Sequence, residues 1–417
     1  LAAALGTWAL AGCADTFNAG PITYVKSEKQ AADLKGKPRL QAAVNKALAN
    51  LYGPNPRQIK VPPGLDLPDH GKHLANYFVP VSAPNTSPKH LYYTDSKSGK
   101  PVFIEGGYAL YRRHCLHCHG VSGDGKGPTA DFLWPRPRDF RPGKFKFTST
   151  TTDKPTRDDL RKTVAHGIPN SAMPAFEALM TTQEMEQVID YVIFLSVRGQ
   201  SEINLVNAAS LAEDNEADTA LSDDAVKEAV QVVFDAWRDA EGQVLNPPTP
   251  RKQSTRKSIL NGRSLFLGQQ TAKGLQCVGC HGEKGDGNGK SFVDVKVFNY
   301  VTFGGDPDKL QERLNTYDEK TRALWNEGSK DDWGNPLRPA NLNLGIYKGG
   351  RRPLDLYWRI AKGINGAKMP AHQSILSPEE IWDLVNFVLA LPYEPGLLEG
   401  VKPPPTPPAP ARAVARR

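Results

Sequence analysis

Sulfur is scarce in this chain. Its 417 residues include five cysteines and four methionines. Four of the cysteines fall in two Cys-x-x-Cys pairs, Cys115/Cys118 and Cys277/Cys280, which leaves Cys13 by itself. No further pair remains for a structural disulfide. Long apolar runs are also lacking: hydrophobic residues make up 39%, and no stretch is long enough to span a bilayer. Charge is present but not concentrated. The formal net charge is +7, from 52 Lys and Arg against 45 Asp and Glu. No basic stripe with interleaved aromatics occurs, which excludes nucleic acid as a partner. A diffuse positive excess, clearest at Arg412, Arg416 and Arg417, suits acidic partners or an anionic membrane surface.

What is present lies around the paired cysteines. Residues 115–119 read Cys-Leu-His-Cys-His and residues 277–281 read Cys-Val-Gly-Cys-His. Both are the C-x-x-C-H pattern of covalent c-type haem attachment. Two thiols add to the two vinyl groups of one haem, and the next histidine is set by a short turn to reach the iron. The motifs therefore predict two covalently bound haem c groups, attached through Cys115 and Cys118 and through Cys277 and Cys280. His119 and His281 are the expected proximal ligands.

The chain also repeats itself. With Cys115 set on Cys277, an offset of 162, His119-Gly120 meets His281-Gly282 and Gly123-Asp124-Gly125 meets Gly285-Asp286-Gly287. Farther on the offset becomes 196: Gly167-Ile168 meets Gly363-Ile364, and Met173-Pro174-Ala175 meets Met369-Pro370-Ala371. Each copy predicts the same series. A helix holding Gly107 or Gly262 leads into the attachment motif, and its glycine permits close helix packing. A Gly-rich loop follows, then a helix (157–165 or 354–361), the Met-Pro segment and a last helix (182–198 or 378–391). Thr181…Glu184 and Ser377…Glu380 fit capping boxes at the starts of the last helices. Met185, Val188, Ile189 and Val192 recur at helical spacing, as do Ile381, Leu384, Val385 and Val388.

This order resembles the class I cytochrome c domain, present twice, over about 101–200 and 256–398. The resemblance implies an all-α fold of two tandem domains. It also implies a distal methionine just before each last helix, where Met173 and Met369 stand. Met180 aligns with Leu376 and Met185 with Ile381, as interchangeable core residues would. The expected iron ligands are thus His119 with Met173 and His281 with Met369. The resemblance further suggests a proline carbonyl shortly after the motif as acceptor for the proximal ring nitrogen: Pro128 in the first copy, where the second has Lys290. Arg136-Pro137-Arg138-Asp139-Phe140 recurs as Arg338-Pro339-Ala340-Asn341-Leu342, and its first arginine is a candidate partner for a haem propionate.

The flanking segments read less sharply. Residues 1–12 are taken as the remnant of an export signal. Leu10-Ala11-Gly12-Cys13 resembles a bacterial lipobox, which makes Cys13 a lipidation site. Residues 13–100 then form a lipid-anchored, mostly irregular arm with one helix near 38–51. Residues 201–255 form a linker with a helix over 223–240 that braces the two domains. An insertion at about 296–335, with Tyr317, Trp325 and Trp333, suits either docking or local packing. Residues 399–417 are a Pro-rich tail.

Histidine and methionine on one iron favour Fe(II) and leave no open position. The expectation is therefore an electron-transfer protein rather than an enzyme. It would sit on the periplasmic side of a bacterial membrane and serve a quinol-oxidising complex, an oxidase or another cytochrome. A dihaem peroxidase-like enzyme and a scaffold subunit of a respiratory complex are the alternatives.

Overall fold

The computed structural model describes residues 22–56, 58–75, 92–94, 101–103, 106–270, 273–275, 277–289, 306–316, 319, 330–335 and 337–399. The chain is mostly helical. The arm carries α1 (Glu28–Asp33) and α2 (Pro38–Tyr52). A 3-10 turn, Pro68–Ala75, follows, then a ladder of β1 (Tyr92–Thr94) and β2 (Pro101–Phe103), antiparallel with Tyr92 opposite Phe103. The first motif lies between α3 (Gly107–His114) and the short α4 (Leu116–His119), and α5 (Arg157–His166) and α6 (Thr182–Ser210) complete that half. After α7 (Ala217–Ala220) and α8 (Asp223–Asp239) the frame recurs. It runs as α9 (Arg256–Phe266), α10 (Cys277–His281), α11 (Pro307–Asn315), α12 (Pro353–Lys362) and α13 (Pro378–Ala390).

Both expected capping boxes form. Thr181 and Ser377 each accept from the backbone N–H three residues on, and Glu184 and Glu380 reach back to the cap. The glycines act as expected too. A Cβ on Gly107 would lie 2.4 Å from the Gln187 carbonyl oxygen, and one on Gly262 would lie 2.1 Å from that of Asp383. Each half is thus built on a crossing of two helix backbones, α3 on α6 and α9 on α13.

Two expectations about the flanks are corrected. The arm is not mostly irregular over its described residues. Leu34, Leu40, Val44, Leu48, Tyr52, Leu65, Leu67 and Leu74 are buried in the same core as α3 and α6. The last helix of the first half does not stop near 198 but continues to Ser210. At 29 residues it spans about 43 Å. Its extension hides polar groups that found partners on the arm: Ser201 meets the Tyr52 hydroxyl at 2.6 Å, and Glu202 accepts from the Ser27 N–H at 2.6 Å. His73, buried, pairs with Asp190 of α6 at 2.6 Å.

Helix α8 packs Val230, Val233, Phe234 and Trp237 into this first core. The bracing expected of it falls to the segment after it. Val244 and Leu245 lie against the second core, while Leu245 N–H donates to the Ser149 carbonyl and the Trp358 indole donates to the Leu245 carbonyl. Across the same junction Lys362 Nζ donates to Thr148 Oγ1 at 2.6 Å. Burial pulls the Lys362 pKa down to about 8.

Two outcomes follow. Gly262→Ala forces a Cβ into backbone and should cost about 1–3 kcal/mol or more, read by urea unfolding, whereas Gly242→Ala, with open space around it, should cost far less. Lys362 binds its proton less readily folded than unfolded. Its penalty is therefore present at pH 7 and is relieved as pH rises from about 8 towards its ordinary value. Lys362→Met should gain stability at pH 7, and its advantage over wild type should shrink as pH is raised to 10.

Candidate functional site: two attachment motifs in one cavity

Each motif is a helical turn closed by a glycine loop, and the two loops are built alike. Gly125 and Gly287 lie in the left-handed region, at φ of 71° and 79°, and their N–H groups donate to the carbonyls of His119 and His281. A side chain at either position would strike the Pro137 or Pro339 carbonyl at 2.6 Å. The N–H groups of Phe140 and Leu342 donate to the carbonyls of Gly123 and Gly285, at 2.6 and 2.7 Å. These bonds lay the Arg-Pro-x-Asp/Asn repeat directly over the attachment turn.

The proximal acceptor follows from that placement. His119 Nδ1 donates to the Arg138 carbonyl and His281 Nδ1 to the Ala340 carbonyl, both at 3.1 Å. Pro128 does not serve, and Lys290 lies outside the described residues. The repeated Arg-Pro-x pattern is the sequence signal for this acceptor, and its arginine side chains do something else. Those make local pairs: Arg136 with Asp131, and Arg338 Nη2 with Asn288 Oδ1 at 3.1 Å. The repeat also delivers a backbone carbonyl, which fixes the ring tautomer and leaves Nε2 free for a metal. Burial pulls the His119 pKa down to about 4 and lowers that of His281, which favours the neutral ring that ligation requires. Phe140 stacks on the His119 ring at 4.5 Å.

The Met-Pro segments are also placed by glycine. Gly167 and Gly363 have φ of 66° and 77°, and a Cβ on either would lie 2.6 or 2.5 Å from the Met173 or Met369 carbonyl oxygen. The next N–H, of Ile168 or Ile364, donates to that same carbonyl at 3.1 or 3.2 Å. Met180 and Met185 are buried core residues.

Cys115, Cys118, His119, Met173, Cys277, Cys280, His281 and Met369 all line one continuous cavity of about 1180 Å³. That exceeds the roughly 300–1,000 Å³ usual for one small-molecule site, and it holds two complete sets of the expected residues. No disulfide joins these four cysteines, which leaves each pair available to one haem. Leu344, Ile346 and Ile375 line the cavity yet are 59%, 52% and 46% exposed. An apolar ring system seated there would cover them. The residues present therefore fit two haem groups. His372 also lines the cavity, its Nδ1 bonded to the Ile360 carbonyl at 3.2 Å, whereas His166 is exposed and does not. Cys13 lies outside the described residues, as do Tyr317 and Trp325.

Residues 103–192 match the family described as cytochrome C oxidase, cbb3-type, subunit III, and residues 261–392 match the cytochrome c family. No curated protein matches the chain. Among solved structures, a chain of the reducing HAO-like protein complex of Kuenenia stuttgartiensis is 23% identical, with a TM-score of 0.44. The match covers 68% of this chain and 94% of that one.

Met173→Ala should remove the methionine–iron charge-transfer band of the first haem alone, and Met369→Ala that of the second alone. Each should leave a high-spin or ligand-exchanged haem of lower midpoint potential. Visible spectroscopy with potentiometric titration reads both changes.

Proposed function

We propose that this dihaem c-type cytochrome, with a cbb3 subunit III-like domain followed by a second cytochrome c domain, relays single electrons between its two haems and a partner at a membrane. The observation that carries the reading is the shared cavity, which both attachment motifs and both Met-Pro loops line. Haem supplies the one-electron redox step when bound; the protein supplies burial, ligands and orientation. His119 and His281 would hold the proximal faces, each ring fixed by a backbone carbonyl, and Met173 and Met369 the distal ones. A histidine and a methionine held in place by these loops would let each haem change oxidation state with little rearrangement of the protein. Electron tunnelling falls steeply with distance, so two haems held in one cavity would exchange electrons with each other faster than with haems of another molecule.

The same reading places the protein on the periplasmic side of a bacterial membrane, held by acyl chains on Cys13. The likeness of the first domain to an oxidase subunit supports a station beside a respiratory complex, fed by a quinol-oxidising complex or another cytochrome. No helix among the described residues is long and apolar enough to cross a membrane; in this proposal the acyl chains on Cys13 hold the protein there.

The test is rapid mixing of the oxidised protein with less than one equivalent of a one-electron reductant. The proposal expects the electron to redistribute between the haems faster than it exchanges between molecules, with no dependence on protein concentration. A redistribution rate that scales with concentration would contradict it. In a bacterial host, Cys13→Ser in the exported precursor should move the haem protein from the membrane to the soluble periplasmic fraction. Retention on the membrane would exclude the Cys13 anchor.

A further inference from the structure

The two Met-Pro loops are held in different ways. In the first domain the loop closes on itself: the Ser171 hydroxyl donates to the Ile168 carbonyl at 2.7 Å and accepts from the Met173 N–H at 3.2 Å. The second domain has Ala367 at the aligned position and no hydroxyl to do this. Its loop is closed from within only by main chain, the Ala367 N–H donating to the Ile364 carbonyl at 3.0 Å, and it is pinned from outside as well. Asn365 Nδ2 donates to the Phe145 carbonyl at 2.9 Å and lies 3.2 Å from Thr148 Oγ1, both in the first domain. The Gly366 carbonyl accepts from the Asp332 N–H at 3.0 Å. Trp333 presses on Gly366 so closely that a Cβ there would lie 2.3 Å from its ring.

Trp333 in turn is set by the first domain. The Arg138 guanidinium stacks on its ring at 3.8 Å. Asp331, with a side chain only 2% exposed, takes Lys146 at 2.8 Å and Arg138 at 3.4 Å. Its other oxygen accepts from the N–H groups of Trp333 and Asn335, which shapes the turn carrying the tryptophan. The backbone carbonyl of Arg138 is the acceptor for His119. One residue therefore touches the proximal histidine of the first site through its main chain and the support of the second Met-Pro loop through its side chain.

We propose that Arg138, clamped by Asp331 and Trp333, is a positioning residue that couples the proximal ligand of the first haem to the methionine loop of the second. The proposal rests on the reading of His119 and Met369 as axial ligands. Removing the Asp331 charge leaves two largely buried cations facing each other without their anion, so Arg138 and Trp333 have to move. Coupling of this kind is reciprocal, so a change made at the junction is felt at both haems.

The experiment uses the full-length, haem-loaded protein as wild type, Asp331→Asn, Arg138→Gln, Trp333→Phe and the control Asp332→Ala, which keeps the backbone N–H. The haems are told apart in single-methionine variants. Two quantities are read: imidazole affinity of the second haem, which reports how firmly its methionine holds, and both midpoint potentials. The expected result in Asp331→Asn is imidazole binding about tenfold tighter at the second haem with a shift of both midpoints, and no change in Asp332→Ala. If Asp331→Asn does not fold, Arg138→Gln carries the test, since the histidine's acceptor is main chain and survives. Unchanged imidazole affinity and midpoints in the variants that fold would overturn the proposal, and so would a response confined to the second haem. A wild type with no methionine–iron band at the second haem overturns the ligand reading, and this proposal with it.

Discussion

A single hydrogen bond in each half governs the rest: the imidazole Nδ1–H donated to a backbone carbonyl, of Arg138 in one half and Ala340 in the other. A histidine that holds a metal through Nε2 needs its other nitrogen protonated and its ring plane fixed. A main-chain acceptor does both without introducing a second charge. Delivering that carbonyl costs a good deal of sequence. It takes left-handed glycines at 125 and 287, the close passage of Pro137 and Pro339, and the anchoring of Phe140 and Leu342 on the glycine loop. The helix crossings at Gly107 and Gly262 then hold each attachment turn against its half's core.

The two halves share this frame but not their surroundings. The first is enlarged by the arm and by α8, both packed on an unusually long α6. The second relies on the first for part of its Met-Pro loop and for contacts along α12. An ancestral repeat would account for the common core, and the differences concern how the copies meet. The outcome is one cavity rather than two, which is the arrangement that electron exchange between haems calls for.

Much of the site was legible in the sequence because its chemistry is carried by rare residues at rigid spacing. Cys-x-x-Cys-His has few other uses, and the repeat singled out Met173 and Met369 from four methionines. The helix caps were legible for the same local reason. The proximal acceptor was not, because a carbonyl belongs to every residue and leaves no side-chain signature; only the recurring Arg-Pro-x pattern marked it. The continuation of α6 past residue 198 was hidden by Gln200, Ser201, Glu202 and Asn204, polar residues whose partners come from distant segments. The arm's helix near 38–51 was legible because Leu40, Val44 and Leu48 keep helical spacing, whereas prolines and glycines obscured the shorter turns around it.

The measurement that tests the central claim most directly is the electron paramagnetic resonance spectrum of the fully oxidised protein, with covalent haem quantified per chain. The account predicts two haems per chain, both low-spin and both with histidine–methionine signatures. One haem per chain, or a high-spin or bis-histidine centre in a stoichiometric share of the signal, would contradict it.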